Sequence, residues 1–243
     1  MPDMPAPPSG DHFTKDYNKH MGELKKKHSP ERAAELAVGG DFAAAGARHA
    51  AVLAHFGLKN GDFLIDCGCG SGRSAVAISK KFDIRYLGID IVPDLLAHSR
   101  SICPPSYEFV LGEGLTIPAA DNSADFVIMF SLLTHLHFVE SYMYIAEAKR
   151  VLKPGGKLLA TYLEICAPIH RRAFDTSLES KMKGTNRPLT AFIEAPVWPV
   201  WAQRLGMDLL HQYRGGTAFF ADGAGPEQRQ ALGQSLAVLK KNQ

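Results

Sequence analysis

The stretch Leu64-Ile65-Asp66-Cys67-Gly68-Cys69-Gly70-Ser71-Gly72 decides how this chain is read. The apolar run Phe63-Leu64-Ile65 leads into a loop with glycine at every second position, and Ala75, Val76, Ile78 and Phe82 then follow as a helix. The order is strand, tight loop, helix. Glycine in such a loop permits backbone angles closed to other residues and lets a ligand lie directly on the main chain. The loop also opens a helix, whose free N–H groups favour electronegative ligand atoms, so a bound nucleoside is the expected tenant.

Alternation of the same kind continues outward from this stretch. Downstream, residues 84–89 read as a strand, 93–101 as a helix, and 107–111 and 126–130 as strands. Phe138, Ile145, Ala148 and Leu152 form the next helical stripe, Lys153-Pro154-Gly155-Gly156 closes it, and 157–163 returns as a strand. Five strands with helices between them make an α/β sheet covered on both faces. Upstream, Asp41 opens a helix carrying Phe42, Ala45, Val52, Leu53 and Phe56, which Gly57 stops. Ser29-Pro30 starts a shorter helix, and Phe13 and Tyr17 lie in a further helical extension ending at Lys25-Lys26-Lys27, a run read as a solvated face. The first ten residues hold four prolines and are excluded from the core. Beyond Glu164 the pattern weakens to helices near 167–183 and 196–205 and strand-like segments at 207–213 and 235–239.

Bulk properties bound the function. A chain of 243 residues suits one large core, and 46% hydrophobic with 21% charged residues suits a globular protein. A net charge of +2, from 27 basic and 25 acidic side chains, makes nucleic acid an unlikely partner on field strength. No apolar run approaches the roughly 18 residues of a membrane span, and the start Met1-Pro2-Asp3-Met4-Pro5 lacks the pattern of a secretory leader. A cytoplasmic protein without a membrane partner is the expectation. Cys67, Cys69, Cys103 and Cys166 are expected as free thiols, and no metal site is expected because no second pair at zinc spacing joins Cys67 and Cys69.

Asp90 ends the second strand, 18 residues past Gly72, where doubly wound folds place a carboxylate for ribose hydroxyls. The loop reads G-x-G-x-G and has Arg73 where the dinucleotide fingerprint puts its third glycine, which disfavours nicotinamide and flavin cofactors. Asp66 at the loop's mouth would oppose a pyrophosphate but suit a cofactor bearing an ammonium group.

Taken together, residues 63–163 resemble the class I S-adenosylmethionine-dependent methyltransferases. Asp66, Cys67, Gly68, Gly70 and Gly72 are similar to the family's first motif, and Gly88-Ile89-Asp90-Ile91 to its second, whose acid holds the cofactor's ribose. Gly112-Glu113-Gly114 resembles the segment that reads adenine, through Glu113 and the backbone of Gly114. Phe130 and Ser131 close a segment similar to the fourth strand and the loop beside the reacting methyl. The run Val151-Leu152-Lys153-Pro154-Gly155-Gly156-Lys157-Leu158 is the most family-specific, while Gly114 in place of alanine and the two cysteines of the first motif depart from the usual pattern.

The resemblance implies a doubly wound, seven-stranded, mostly parallel Rossmann-like sheet with helices on both faces. Its last strand should run antiparallel in the sheet's interior. Residues 1–40 become an N-terminal extension with lid helices, and 41–243 the S-adenosylmethionine-binding domain. The implied activity is direct displacement of the cofactor's methyl by a small-molecule acceptor, with sugar, glycan-precursor or natural-product acceptors preferred and the oligomeric state left open. Methylation of RNA or protein, or a cofactor-binding subunit without catalysis, are the alternatives. For a hydroxyl acceptor His135 is the candidate base, and its other reading is a bond to loop backbone. Tyr17 and His20 could close over the cofactor. Trp198 and Trp201 fall in the region that shapes acceptor pockets, although such residues also serve as core.

Overall fold

The computed structural model describes residues 11–185, 188–221 and 229–243, so the proline-rich start lies outside the described residues. Helices α1 (Asp11–Lys25), α2 (Pro30–Ala37) and α3 (Phe42–His55) precede the sheet. Local chemistry sets the last two starts: Ser29 Oγ accepts from Arg32 N at 3.3 Å, with Pro30 in the first turn, and Asp41 Oδ1 accepts from Ala44 N at 2.9 Å. The core then alternates β1 (Phe63–Cys67), α4 (Arg73–Ser79), β2 (Arg85–Asp90), α5 (Pro93–Ile102), β3 (Glu108–Leu111), β4 (Ala124–Met129), α6 (Phe138–Val151) and β5 (Leu152–Tyr162). Helices α7 (Arg171–Met182) and α8 (Val197–Leu205) lead to β6 (Met207–Tyr213) and β7 (Ser235–Lys241).

The seven strands order as β3-β2-β1-β4-β5-β7-β6. The first five pair in parallel, and β7 inserts antiparallel between β5 and β6. This is the doubly wound, mostly parallel sheet that the resemblance implied, with its tail strands where they were expected. Strand order reverses between β1 and β4, and in such sheets the crevice at the carboxyl ends of the flanking strands is where ligands bind.

Strand alternation sorts the core into two layers. Ile65, Cys67, Val127, Met129 and Leu158 join one cluster with Ile145 of α6. Leu64, Phe126, Ile128 and Leu159 join the other with Val52 and Leu53 of α3. Trp198 and Trp201 are buried in the first cluster, so they serve as core. A third, smaller cluster joins Met21, Ala33 and Ala34 of the first two helices to Val92 and Leu95, which docks the extension on α5.

One boundary differs from the sequence reading. Lys153-Pro154-Gly155-Gly156 lies within β5, which pairs Ala124 with Leu152 and then Phe126 with Lys157. The extra residues bulge out of the ladder, where Pro154 needs no donor and Gly155 takes φ 82°.

Gly46 lets α3 pack against the start of α4, since a Cβ there would land on the Arg73 carbonyl oxygen. Gly46→Ala should therefore destabilise the fold by about 1–3 kcal/mol in urea unfolding, although alanine is the better helix former.

Candidate active site

A cleft of about 1550 Å³ opens over the carboxyl ends of β1, β2 and β4, roofed by α1, the end of α2 and α7. Its floor begins at the glycine loop. Gly68, Gly70 and Gly72 take φ of 74°, 57° and 83°, left-handed values that resist any side chain. The N–H groups of Gly68 and Cys69 both reach Ile89 O, at 2.8 and 3.0 Å. Asp90 completes the anchorage: Oδ2 accepts from Gly70 N at 2.8 Å and Oδ1 from Val92 N at 3.0 Å. The Ile91 N–H also bonds this carboxyl, so most of its acceptor capacity is spent on the protein. Burial pushes the Asp90 carboxyl above its ordinary range, an effect opposed by the Val92 and Gly70 N–H groups.

Arg73 carries a role that the glycine pattern did not reveal. Its Nη1 donates to Val38 O and Gly39 O, both at 3.0 Å, and so ties the end of α2 to the loop. Where a dinucleotide fold needs glycine for close packing, this chain places a clamp on its extension.

Eight of the residues singled out from the sequence share the cleft lining: Gly68, Gly70, Asp90, Ile91, Gly114, Phe130, Ser131 and His135. Tyr17 and His20 of α1 also lie on it. Asp66, Cys67, Gly72 and Glu113 do not. Asp66 is buried with Oδ2 accepting from the Tyr86 hydroxyl at 2.6 Å, beneath the loop and away from its mouth. Cys67 packs into the core, a Cβ on Gly72 would meet Ser99 and Cys103 at 3.0–3.2 Å, and Glu113 is exposed. Strand alternation turns the Asp66 and Cys67 side chains from the cavity, Gly72 packs against α5, and Glu113 faces solvent.

His135 sits in a single 3-10 turn after β4 (Leu133–His135). Its Nδ1 lies 2.7 Å from Leu189 O, and because a carbonyl only accepts, Nδ1 carries the proton. Nε2 therefore holds the lone pair of the neutral ring. Burial lowers the proton affinity of His135, with the Leu189 bond opposing and His20 adding a smaller push downward. Tyr17 packs edge-on against the ring, centroids 5.1 Å apart at 85°. The backbone bond foreseen as the alternative reading is thus present, and it leaves Nε2 as a potential base.

The segment that supplies Leu189 escaped the sequence reading. Ala191 N donates to Thr134 O at 2.7 Å and Ile193 N to Leu163 O at 2.8 Å, so the segment straps the loops after β4 and β5. Backbone carbonyls leave no sequence signature. Among the described residues Glu164, Cys166 and Glu194 bring ligand-type atoms within 4.8 Å of one another. The Arg214 guanidinium occupies that cluster instead, with Nη2 at 2.9 Å from Cys166 Sγ and Nε at 3.6 Å from Glu164 Oε2.

Comparison with known proteins adds the family. A family model described as a methyltransferase domain matches residues 65–160, the span from β1 through most of β5. That match assigns residues 65–160 to a methyltransferase domain. The methyltransferase domain is 28% identical over 104 residues to the 2-methyl-6-phytyl-1,4-hydroquinone methyltransferase of Synechocystis, covering 42% of this chain and 32% of that one. It is 33% identical over 105 residues to phosphoethanolamine N-methyltransferase 1 of Arabidopsis thaliana, covering 42% and 21%. The chain thus spans about a third or less of these curated relatives. A solved SAM-dependent methyltransferase from Thermotoga maritima superposes with a TM-score of 0.63 over 96% of this chain and all of that one, and at 17% identity it shows the shared fold. No helix among the described residues is long and apolar enough to cross a membrane.

Burial raises the Asp66 carboxyl from 3.8 to about 7, against the opposing Tyr86 bond. The native state then keeps a proton that the unfolded chain has lost, so stability is greatest at acid pH and falls as pH rises from the unfolded value through about 7. Asp66→Asn, which can still accept from Tyr86, should flatten this slope and gain stability relative to the parent above neutral pH. Urea unfolding at a series of pH values checks it, and parallel pH profiles would refute it.

Proposed function

We propose that this protein transfers the methyl group of S-adenosylmethionine to a small-molecule acceptor by direct displacement. The observation that carries the reading is the convergence, on one cleft, of the Asp90-anchored glycine loop and a His135 ring held neutral with Nε2 available. The donor set suits the cofactor. Asp90 retains acceptor capacity for a ribose hydroxyl, Gly68 and Gly70 present backbone without side chains, and Ile91 and Leu115 supply apolar surface for a purine. Gly112 and Gly114 border the same region. When bound, S-adenosylmethionine supplies an electrophilic methyl on a sulfonium.

The chain's own residues then position, desolvate and deprotonate. Phe130, Leu132 and Leu136 line the cleft beside His135 and exclude water from the reacting centre. Tyr17 covers the imidazole from the lid side. For a hydroxyl acceptor His135 Nε2 takes the proton as the oxygen attacks, while Leu189 O holds the ring by its other nitrogen. Holding acceptor and donor in line supplies much of the acceleration, with no covalent enzyme intermediate.

Acceptor size follows from the cavity. At about 1550 Å³ the cleft exceeds the roughly 300–1,000 Å³ of a single-ligand pocket, leaving room for a second molecule beside the cofactor. Phe174, Leu178 and Phe192 line its outer end together with the Thr176 and Ser177 hydroxyls, a mixture suited to an acceptor with both apolar and hydroxylated parts. Relatives named for a phytyl hydroquinone and for phosphoethanolamine agree with small-molecule chemistry.

Incubation with methyl-labelled cofactor and a small-molecule extract, followed by mass spectrometry, should reveal a labelled metabolite. Calorimetry should show S-adenosylhomocysteine binding. Cofactor binding without labelled product from any acceptor pool would point to a non-catalytic subunit, and nucleic-acid binding with a steep salt slope would favour RNA. His135→Ala should lower turnover roughly 100-fold or more while leaving affinity for S-adenosylhomocysteine intact. Because the neutral ring is the active form and burial lowers its proton affinity, parental activity should fall only below the ordinary histidine value of 6.5, and this acid limb should vanish in the variant.

A further inference from the structure

The tail of the chain reaches back to the loop beside the reacting centre through a residue outside the matched methyltransferase domain. Gln234 stands one residue before β7, and the antiparallel insertion of that strand places it next to the carboxyl end of β5. Its Oε1 accepts from the Thr161 hydroxyl at 2.6 Å and from the Ser131 hydroxyl at 3.2 Å. Thr161 Oγ1 in turn accepts the Ser131 N–H at 2.7 Å. With the Gln234 amide oxygen facing both hydroxyls, each donates its proton to it. Thr161 has a single hydroxyl proton, it goes to Gln234, and a lone pair is thereby left facing the Ser131 amide.

Ser131 needs this support. It takes φ 61°, in the left-handed region that costs a non-glycine residue on the order of 1 kcal/mol or more and persists only where its surroundings over-determine it. The turn is also tied forward, since Ser131 O accepts from Thr134 Oγ1 at 2.8 Å and Thr134 O accepts the Ala191 amide at 2.7 Å. Phe130, Ser131 and His135 all line the cleft, so the angle of this turn sets where the apolar wall and the imidazole stand.

We propose that Gln234 is a positioning residue for methyl transfer: acting through Thr161, it locks Ser131 in the turn that aims Phe130 and His135 at the reacting methyl. The inference rests on the methyl-transfer reading above. Gln234 itself does not line the cleft. Its effect should therefore fall on the rate of the chemical step, whereas loss of a generic packing contact would fall on stability.

Three single variants and one double variant test it. Gln234→Met keeps length and removes the acceptor oxygen, Gln234→Glu keeps an acceptor oxygen, and Thr161→Val breaks the middle link. Gln234→Met should lower kcat for the labelled product roughly 10- to 100-fold while affinity for S-adenosylhomocysteine is unchanged. Gln234→Glu should restore most of that rate, and the Gln234→Met/Thr161→Val double variant should be no slower than the slower single, because the two act in one chain. Independently of any acceptor, amide hydrogen exchange at Ser131 should quicken in Gln234→Met while exchange in the β1 amides stays at the parental level. Parental turnover or unchanged Ser131 exchange in Gln234→Met overturns the proposal. So does equal slowness in Gln234→Glu, or a loss of cofactor affinity in step with rate. A parent protein that binds no S-adenosylhomocysteine would instead refute the methyl-transfer reading, and the exchange measurement would still judge Gln234.

Discussion

The contact between the Asp90 carboxylate and the Gly70 amide, 2.8 Å long, is the constraint on which the site depends. It joins the end of β2 to the loop after β1, and the Gly68 and Cys69 amides reinforce the junction at Ile89 O. The loop can be held this way only because glycine tolerates the left-handed angles that turn its amides back toward the neighbouring strand. Since backbone N–H groups hold the carboxylate, the fold alone fixes its orientation.

From that anchor the rest of the cleft is assembled in layers. Arg73 clamps the extension to the loop, and the Met21, Ala33 and Leu95 cluster seats the same extension on α5, so the extension is built into the core's own packing. On the other side the reversal of strand order separates β1 from β4 and opens the crevice. The loop after β4 fills it with Phe130, Ser131 and His135, held from outside by Leu189, Thr161 and Gln234. Asp90 and the neutral His135 imidazole both line this cleft.

Buried ionisable groups beneath the site follow a different logic. Asp66 and Tyr86 share a hydrogen bond in a dry layer, and burial raises the proton affinity of both. The pair stiffens the floor under the glycine loop, whereas the sequence pattern had placed Asp66 at the loop's mouth. Strand alternation accounts for the difference. Asp66 and Cys67 are consecutive in β1, so they point to opposite faces of the sheet, and neither face is the strand's end where the cavity lies.

What the sequence by itself determined is local: the order of strands and helices, the glycine loop, Asp90 at a strand end, and the caps Ser29 and Asp41. Each is legible because periodicity, capping and left-handed angles are properties of a few adjacent residues. The tail strands left only a weak pattern, and the seven-stranded sheet with its last strand antiparallel in the interior was legible only through likeness to a family. Tertiary structure alone decided which side chains reach the cleft, that Arg73 clamps the extension, that Leu189 fixes the tautomer of His135, and that Gln234 meets Ser131 across 103 positions. Such contacts join segments brought together by the β5–β7 pairing and by the strap over the loops, and hydrogen bonds to backbone oxygen carry no preference for residue type that a reader of the chain could detect.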